Sequence, residues 1–316
     1  AAVRLGCRKV LTAAGLVYAI LLLLLCTVSS FGMAVPLLLI FGATMGCIDV
    51  VVNIQAVIVE KAAGRRLMSG MHALWSVGGF AGAGLFGIWV GTFALTPLLS
   101  TIIAAAIMVL VTLAASRHLL PYGGDAGGKL LALPKGIVTF VGIIACIAFL
   151  VEGAIMDWGG VFLTTVRHFD MSLAGTAFTV FSAAMLTMRL LGDWTVQKLG
   201  QERVVIGGSL LAVAGFLLVI FAAEPALLYL GFFAIGIGCA NVVPVFFSLL
   251  GKQRVMPISL AVPAVSTLGY LGILMGPAVI GFIAHQTNLY TAFGLLAFLV
   301  LLQSIIAAYV YRHILD

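Results

Sequence analysis

Residues 34–66 read AVPLLLIFGATMGCIDVVVNIQAVIVEKAAGRR, a long apolar run that ends in basic residues. The apolar part, 34–58, is near the ~20 residues that a helix needs to cross a bilayer core of ~30 Å. Basic residues stay on the cytoplasmic side during membrane insertion. The stretch therefore predicts a membrane-spanning helix whose C-terminal end faces the cytoplasm.

The same pattern recurs along the whole chain. Every Lys and Arg except Arg167 lies in a terminal stub, in alternate gaps between apolar runs or, for Arg189, at the end of the run that leads into such a gap. This alternation predicts ten membrane-spanning helices with both chain ends in the cytoplasm. The predicted spans are residues 10–30, 34–58, 71–92, 98–116, 136–158, 172–192, 204–222, 226–249, 257–284 and 288–311.

Composition supports the same class of protein. Hydrophobic residues make up 63% of the chain and charged residues 8%, with a mean hydropathy of +1.27. No water-soluble domain of this length sustains such values. The positive-inside distribution accounts for the net charge of +6, so no nucleic-acid partner is expected. The five cysteines show no Cys-x-x-Cys spacing, so neither a disulfide nor a metal site is expected.

An internal repeat is visible at a spacing of about 194 residues. Spans one to four repeat as spans seven to ten, whereas spans five and six have no upstream partner. Parallel repeats of this kind are typical of transporters. The matching segments are Arg4–Val10 with Lys198–Val204, Gly46–Asp49 with Gly238–Asn241, and Ser76–Gly87 with Thr267–Gly281.

The repeat predicts a six-plus-six architecture whose first two helices precede Ala1. About eighty further residues would supply them, at ~20 residues per crossing plus loops. A natural ten-helix protein is the alternative. The predicted organisation is an N-terminal half-bundle (1–116), a Gly- and Pro-containing cytoplasmic connector (117–135) and a C-terminal six-helix half-bundle (136–316).

Three sets of residues resemble the major facilitator superfamily. The segment Arg4-Leu5-Gly6-Cys7-Arg8-Lys9 is similar to the tail of the family's loop motif G-x-x-x-D-R-x-G-R-[RK], and a weaker copy ends in Lys198-Leu199-Gly200. Two further motifs resemble the fucose-permease-like branch of bacterial sugar and metabolite symporters. They are Gly42-x-x-x-Gly46-x-x-Asp49-x-x-x-Asn53, followed by Met68-x-x-x-His72-x-x-Trp75-Ser76, and Glu152-Gly153-Ala154-x-x-Asp157-Trp158.

The resemblance implies an all-α, polytopic helical bundle with ten of the family's twelve membrane helices. It also implies a bacterial inner-membrane transporter. The second loop copy has Asp193 and Gln197 where the family has Gly and Asp. The charge-relay role attributed to this loop motif in the family is therefore not carried over to its copy in the second half.

Asp49 is the first candidate for chemistry. It lies about fourteen residues into its span, ~21 Å from the start of the helix, on one face with Asn53, Ala56 and Glu60. A charge inside a bilayer costs ~2.5–3.5 kcal/mol, and burial favours a neutral carboxyl group. Asp49 is therefore predicted to couple protons, and Asp49 and Asn53 to bind solute. A structural aspartate bonded to a neighbouring helix is the alternative; Glu60 is interpreted as an end charge near Lys61.

Glu152 and Asn241 are the candidates in the second half. The repeat places Asn241 at the depth of Asp49, so the two are predicted to face one central cavity, with a helix–helix contact as the alternative for Asn241. Glu152 lies sixteen residues into the fifth span and is predicted to bind solute or protons. Arg189 is interpreted only as a positive-inside residue.

A cytoplasmic gate or loop is predicted from Arg8, Lys9, His72 and Lys198. For His72, which titrates near neutral pH when unperturbed, an interfacial position at the start of a helix is the alternative. The segment Gly82–Gly87 fits G-x-G-x-x-G but follows no strand. With Gly78 and Gly91 it predicts close helix packing, as does Gly272-x-x-x-Gly276-Pro277. No motif indicates an enzyme or a cofactor.

Together these features predict a secondary active transporter that moves a small polar solute, a sugar or related metabolite, by alternating access. Proton symport is the predicted driving mode, and the protein is predicted to work as a monomer in the lipid bilayer. The alternatives are an exporter of drugs or metabolites and a non-transporting membrane sensor or scaffold. Acids and amides inside the spans favour transport.

Overall fold

A computed structural model describes residues 2–123 and 133–313, with only the backbone described at Ala83. Within these ranges the chain is helical and contains no strand, which confirms the predicted all-α class. The helices are α1 Ala2–Thr27, α2 Phe31–Ala63, α3 Met68–Gly91, α4 Pro97–Ser116, α5 Ile137–Val161, α6 Thr176–Leu190, α7 Gly192–Leu199, α8 Gln201–Phe221, α9 Pro225–Cys239, α10 Val242–Leu250, α11 Ile258–Gln286 and α12 Leu289–His313.

Ten helical segments of the described chain are long and apolar enough to cross a membrane, as predicted. Helices α9 and α10 together form one of them, Pro225–Leu250, and the fifth, Ile137–Val166, ends in a π-helical turn. The described residues form two compact units. The first comprises 2–62, 74–123 and 257–259, and the second comprises 63–73, 133–256 and 260–313.

In the first unit, α1 packs against α4 and the segment that follows it. Gly15 of α1 faces Thr112 of α4, where an added Cβ would lie 2.8 Å from the threonine methyl group. Arg8 donates hydrogen bonds from Nε to the Leu119 carbonyl at 3.0 Å and from Nη2 to the Arg117 carbonyl at 3.2 Å. Arg8 therefore satisfies carbonyl groups beyond the end of α4, at Ser116.

Two glycines support the internal repeat at the level of the backbone. Gly6, in the first loop copy, has φ +80° and ψ 157°, and Gly200, in the second, has φ +86° and ψ 153°. Side chains with a Cβ rarely adopt this positive φ. The two loop copies thus share a backbone turn as well as a sequence pattern.

In the second unit, α8 and α9 cross at glycines. A Cβ at Gly208 would lie 2.7 Å from the Gly238 carbonyl oxygen, and one at Gly215 would lie 2.6 Å from the Gly231 carbonyl oxygen. Small residues let membrane helices approach closely, which increases van der Waals contact. The buried rings of Phe162, Phe216 and Phe293 belong to the same core, where Phe293 meets Phe162 in a tilted contact and Phe216 edge to face.

Arg167, the basic residue that breaks the alternating pattern, has a structural explanation. Its Nη2 donates to the carbonyls of Val219 and Ile220, at 2.8 and 2.7 Å, in the last turn of α8. Its guanidinium also lies over the rings of Phe162 and Tyr290, at 5.6 and 5.4 Å from their centroids. A cation at a helix C-terminus satisfies orphan carbonyls and complements the helix dipole.

The predicted glycine packing is confirmed in α11 and wrong in α3. A Cβ at Gly276 would lie 3.1 Å from the Leu150 carbonyl oxygen, and Gly272 meets the Cys146 carbonyl. In α3, Cβ atoms at Gly78, Gly82, Gly84, Gly87 and Gly91 would meet no atom of the described residues within 4 Å. Glu60 also differs from its interpretation, since it is buried at 7% exposure.

A pair of adjacent glycines tests the α8–α9 crossing. Gly208→Ala should lower the free energy of unfolding by about 1–3 kcal/mol, because the new methyl group overpacks against the Gly238 carbonyl. Gly207→Ala is the matched control, since nothing lies within 4 Å of a Cβ there. Thermal unfolding in detergent measures both. Equal midpoints for the two variants would contradict the close crossing.

Candidate functional site

In the first unit, Asp49 and Asn53 lie one turn apart on α2. Asn53 is 4% exposed, and its Nδ2 donates to the Asp49 carbonyl at 3.0 Å and to Asp49 Oδ1 at 3.3 Å. Ala56, on the same face, is also buried. The predicted shared face of Asp49, Asn53 and Ala56 is confirmed, and it carries a carboxylate oriented by an amide.

In the second unit, Glu152 and Arg189 form an ion pair inside the helical bundle. Arg189 Nη2 lies 3.3 Å from Glu152 Oε2, and the side chains are 7% and 31% exposed. A buried charge is stable only when it is paired and hydrogen-bonded. The interpretation of Arg189 as a mere topology residue was therefore incomplete, because its side chain is buried against α5.

The same arginine contacts an interruption between α9 and α10. Helical geometry is lost at Asn241, with φ −102° and ψ 1°. Pro244 has no N–H to donate to the carbonyl of Ala240, four residues earlier, whereas the next residue, Val245, donates normally to Asn241 at 3.1 Å. Arg189 Nε donates to the Ala240 carbonyl at 3.2 Å and so replaces the missing donor.

Asn241 is held at this interruption. It is 3% exposed, and its Nδ2 donates to the Met188 carbonyl at 3.3 Å, which is the helix contact considered as its alternative role. Its Oδ1 is buried and has no hydrogen-bond partner in the part of the chain that the structure describes. Gly192 lies directly against this oxygen and leaves no room for a Cβ. Asp49 and Asn241 belong to different units, so their shared cavity stays a prediction.

The start of α3 is anchored within the second unit by Asp193. Its Oδ1 accepts the Ser69 N–H at 3.0 Å, and its Oδ2 accepts the Gly70 N–H at 2.8 Å. These are orphan donors at a helix N-terminus, where a carboxylate is favoured. Asp193 thus caps a helix from the position where the family's loop motif has Gly, and the role of the motif's own charged positions in the second half stays a prediction.

The residues predicted for the gate have different surroundings. Arg8 binds the carbonyls beyond α4, Lys9 is exposed, and Lys198 Nζ lies 4.3 Å from the Trp194 ring centroid. His72 lies 5.9 Å from the Phe247 ring, and its Nε2 is buried without a hydrogen-bond partner among the described residues. His72 lies in the first turns of α3, so an interfacial position at the start of a helix stays an alternative. The joint role of Arg8, Lys9, His72 and Lys198 as a cytoplasmic gate or loop stays a prediction.

Three contacting residues were missed by sequence reasoning: Arg189, Asp193 and Arg66. Arg66 Nη1 donates to Ser248 Oγ at 3.0 Å in the second unit. Pro244 was a usable signal, because a proline in a helix frees a carbonyl that a buried donor must satisfy. No three His, Cys, Asp or Glu side chains group to hold a metal ion in the described ranges.

Comparison with known proteins decides the family. The family model described as Major Facilitator Superfamily matches residues 1–253 and 141–314. The chain belongs to the major facilitator superfamily. Overlapping matches to one model agree with an internal repeat, and the predicted family is confirmed. The protein is thus a multi-pass membrane transporter and not an enzyme.

Relatives and solved structures of the superfamily agree. An uncharacterized MFS-type transporter of Yersinia pestis is 45% identical over 299 residues, covering 94% of this chain and 77% of that protein. A human organic anion transporter has the same fold, with a TM-score of 0.76 at 20% identity, covering 96% of this chain and 77% of that one. The E. coli fucose:proton symporter gives a TM-score of 0.76 at 16% identity, covering 98% and 85%.

Asp193 gives a direct stability test. Asp193→Ala should lower the free energy of unfolding by about 0.5–2 kcal/mol, because two N–H groups at the start of α3 lose their acceptor. Asp193→Asn should lose less, since one amide oxygen can still accept. Glu202→Ala is the control, because this exposed acid lies in the first turn of α8. Thermal unfolding at fixed pH measures all three, and an Asp193→Ala midpoint no lower than that of the control would contradict the cap.

Proposed function

We propose that the protein is a secondary active transporter that carries a small polar solute, a sugar or related metabolite, together with protons by alternating access. The main support is the Glu152–Arg189 ion pair within membrane-spanning helices, at 3.3 Å. Ionisable groups at such positions are costly, and in transporters they mark solute and proton pathways. The superfamily membership supplies the transport activity, and the pair supplies a group that a proton can neutralise.

The exposure of the pair is asymmetric, which supports proton binding at Glu152. The glutamate side chain is 31% exposed and the arginine side chain 7%. Water or a proton carrier therefore reaches the carboxylate more readily than the guanidinium. Arginine stays charged throughout the accessible pH range, so any change of charge within the pair occurs on the carboxylate.

Asp49 is proposed as a second proton-coupling acid, in the first unit. It is partly buried, and Asn53 donates to both its carbonyl and its carboxylate. The Asp49 carboxylate can then take up a proton and still keep its hydrogen bonds with the Asn53 amide. Asn53 and Asn241 are proposed, with the two acids, to hydrogen-bond the solute.

The proposed solute class is drawn from chemistry and from similar folds. Amides and carboxylates hydrogen-bond hydroxyl groups well, as sugar recognition requires. One similar structure is named as a fucose:proton symporter and another as an organic anion transporter. A transport panel therefore includes sugars and organic acids. We also propose that the protein works as a monomer in the inner membrane of a bacterium, with both chain ends in the cytoplasm, in line with the basic-residue pattern.

Asp49→Asn tests the coupling. The variant keeps shape and hydrogen bonding but cannot cycle a proton, so uphill uptake driven by a pH gradient should fall to the level of protein-free liposomes. Counterflow exchange should persist, because it needs only solute binding and the conformational change. The measurement is uptake of the panel into proteoliposomes, with and without a pH gradient, by protein expressed from its complete coding sequence.

Asp49→Glu is the matched control, since it keeps a titratable carboxyl group and should retain part of the gradient-driven uptake. Accumulation by Asp49→Asn at the wild-type level would remove Asp49 from the proton path. Loss of both uptake and counterflow would instead assign Asp49 to solute binding alone. Gradient-independent uptake by the unmodified protein would contradict proton symport.

A further inference from the structure

We propose that the exposed face of α7, centred on Trp194 and Lys198, binds the headgroup of an anionic phospholipid at the membrane surface. Helix α7 comprises Gly192–Leu199 and lies between two segments that are long and apolar enough to cross a membrane, Met171–Leu190 and Gln201–Phe221. The inference depends neither on the identity of the solute nor on proton coupling, because it concerns a surface outside the membrane-spanning helices.

The position of α7 is set by the spans on either side of it. Residues 191–200 connect the end of one span to the start of the next, and the eight residues of α7 extend over only ~12 Å. Gly200 ends α7 with φ +86°, so the chain turns directly into α8. So short a connection keeps α7 close to both span ends. The helix therefore lies at the depth of the lipid headgroups, which border the hydrocarbon core.

Helix α7 has two faces of different character. Gly192, Thr195 and Val196 are buried against the protein. On the other side Trp194 is 58% exposed, and Leu191, the residue before the helix, is exposed as well. Apolar side chains in contact with one another are costly in water, whereas tryptophan is favoured at the boundary between hydrocarbon and headgroups. The exposed face therefore fits a lipid better than it fits bulk water.

Lys198 adds a positive charge beside the exposed indole ring. Its Nζ lies 4.3 Å from the centroid of the Trp194 ring, which is a cation–π contact. An aromatic ring attracts a cation but does not neutralise it, and Lys198 forms no ion pair among the described residues. Arg203, in the first turn of α8, is exposed and brings a second positive charge after the turn at Gly200. Basic residues at a membrane surface attract anionic headgroups.

The acids of this segment interact with other parts of the protein. Asp193 accepts two N–H groups at the start of α3, and Glu202 interacts electrostatically with Tyr311 of α12. The exposed face of α7 is therefore both apolar and positive. A phospholipid with a negative headgroup matches both properties, whereas a free phosphate ion would leave the Trp194 ring uncovered.

A lipid on the exposed face would stabilise the contacts on the buried face. Gly192 lies against Asn241 Oδ1, and Asp193 caps the start of α3. A helix as short as α7 is not stable by itself, so its position depends on what it contacts on both faces. A ligand that binds only the folded state raises the free energy of unfolding. Anionic lipid should therefore make the protein more stable than zwitterionic lipid does.

Fluorescence quenching at Trp194 measures binding directly. The protein is expressed from its complete coding sequence with every other tryptophan replaced by Phe, and it is reconstituted into bilayers. A fixed fraction of the lipid is brominated phosphatidylglycerol or brominated phosphatidylcholine, whose bromine atoms quench a nearby indole. The association constant at Trp194 should be about fivefold or more higher for phosphatidylglycerol, as expected for a basic residue close to an anionic surface.

Substitutions of lysine assign this preference to the proposed face. Lys198→Gln should lower the ratio of the two association constants towards one, whereas Lys198→Arg should keep it, because the positive charge remains. Lys135→Gln is the matched control, since it makes the same change of charge at another exposed lysine and should leave the ratio unaltered.

A second measurement uses the protein with all of its tryptophans, in case the depleted protein does not fold. Thermal unfolding in detergent is followed after addition of phosphatidylglycerol, phosphatidylcholine or inorganic phosphate. Phosphatidylglycerol should raise the midpoint above that in phosphatidylcholine, and inorganic phosphate should not raise it. Lys198→Gln should lose the difference between the two lipids, and Lys135→Gln should keep it.

Three results would overturn the inference. The first is equal quenching of Trp194 by the two lipids, and the second is a preference for phosphatidylglycerol that Lys198→Gln retains. The third is a midpoint that inorganic phosphate raises as much as phosphatidylglycerol does, which would indicate a site for a free anion. Equal midpoints in the two lipids would contradict the stabilising effect of the lipid on α7.

Discussion

The structure depends on one constraint, that a backbone polar group inside a bilayer must find its hydrogen bond within the protein. Helices meet this demand along their length but not at their ends or interruptions. In this chain, charged side chains meet it at four such places. Arg8 bonds carbonyls beyond α4, Arg167 bonds the last turn of α8, Asp193 caps α3, and Arg189 bonds the carbonyl that Pro244 leaves open. These four charged side chains thus lie where regular helix ends or is interrupted.

The charged side chains at these helix ends differ in the partners that they bind. Arg167 and Asp193 bond only backbone groups in the contacts described above, so they act as fixed caps. Arg189 differs, because it donates hydrogen bonds both to a backbone carbonyl and to the carboxylate of Glu152. The interrupted helix is the kind of element on which transporters build binding sites, since its unwound backbone presents polar groups inside the membrane.

The glycines of the membrane-spanning helices differ in how closely other helices approach them. The crossing of α8 with α9 and the contact of α11 with α5 bring glycines against carbonyl oxygens, with no space for a Cβ. A Cβ at the corresponding glycines of α3 would meet no atom within 4 Å among the described residues. The repeat relates α3 to α11, so equivalent sequences have different surroundings in the two halves. Periodicity reveals small residues, but it does not reveal whether another helix covers them.

The sequence by itself determined the helical class, the ten spans, the repeat and the superfamily. These follow from local properties: apolar length, the distribution of Lys and Arg, and a loop motif whose glycines need a positive φ, as Gly6 and Gly200 show. It also located Asp49, Asn53, Glu152 and Asn241, because polar residues inside apolar runs stand out. Only the tertiary structure paired Glu152 with Arg189, brought Asp193 to the start of α3 and buried Glu60. Those contacts join residues distant in sequence, and a long arginine side chain at a helix end can reach either water or the bundle interior, a choice that helix packing decides.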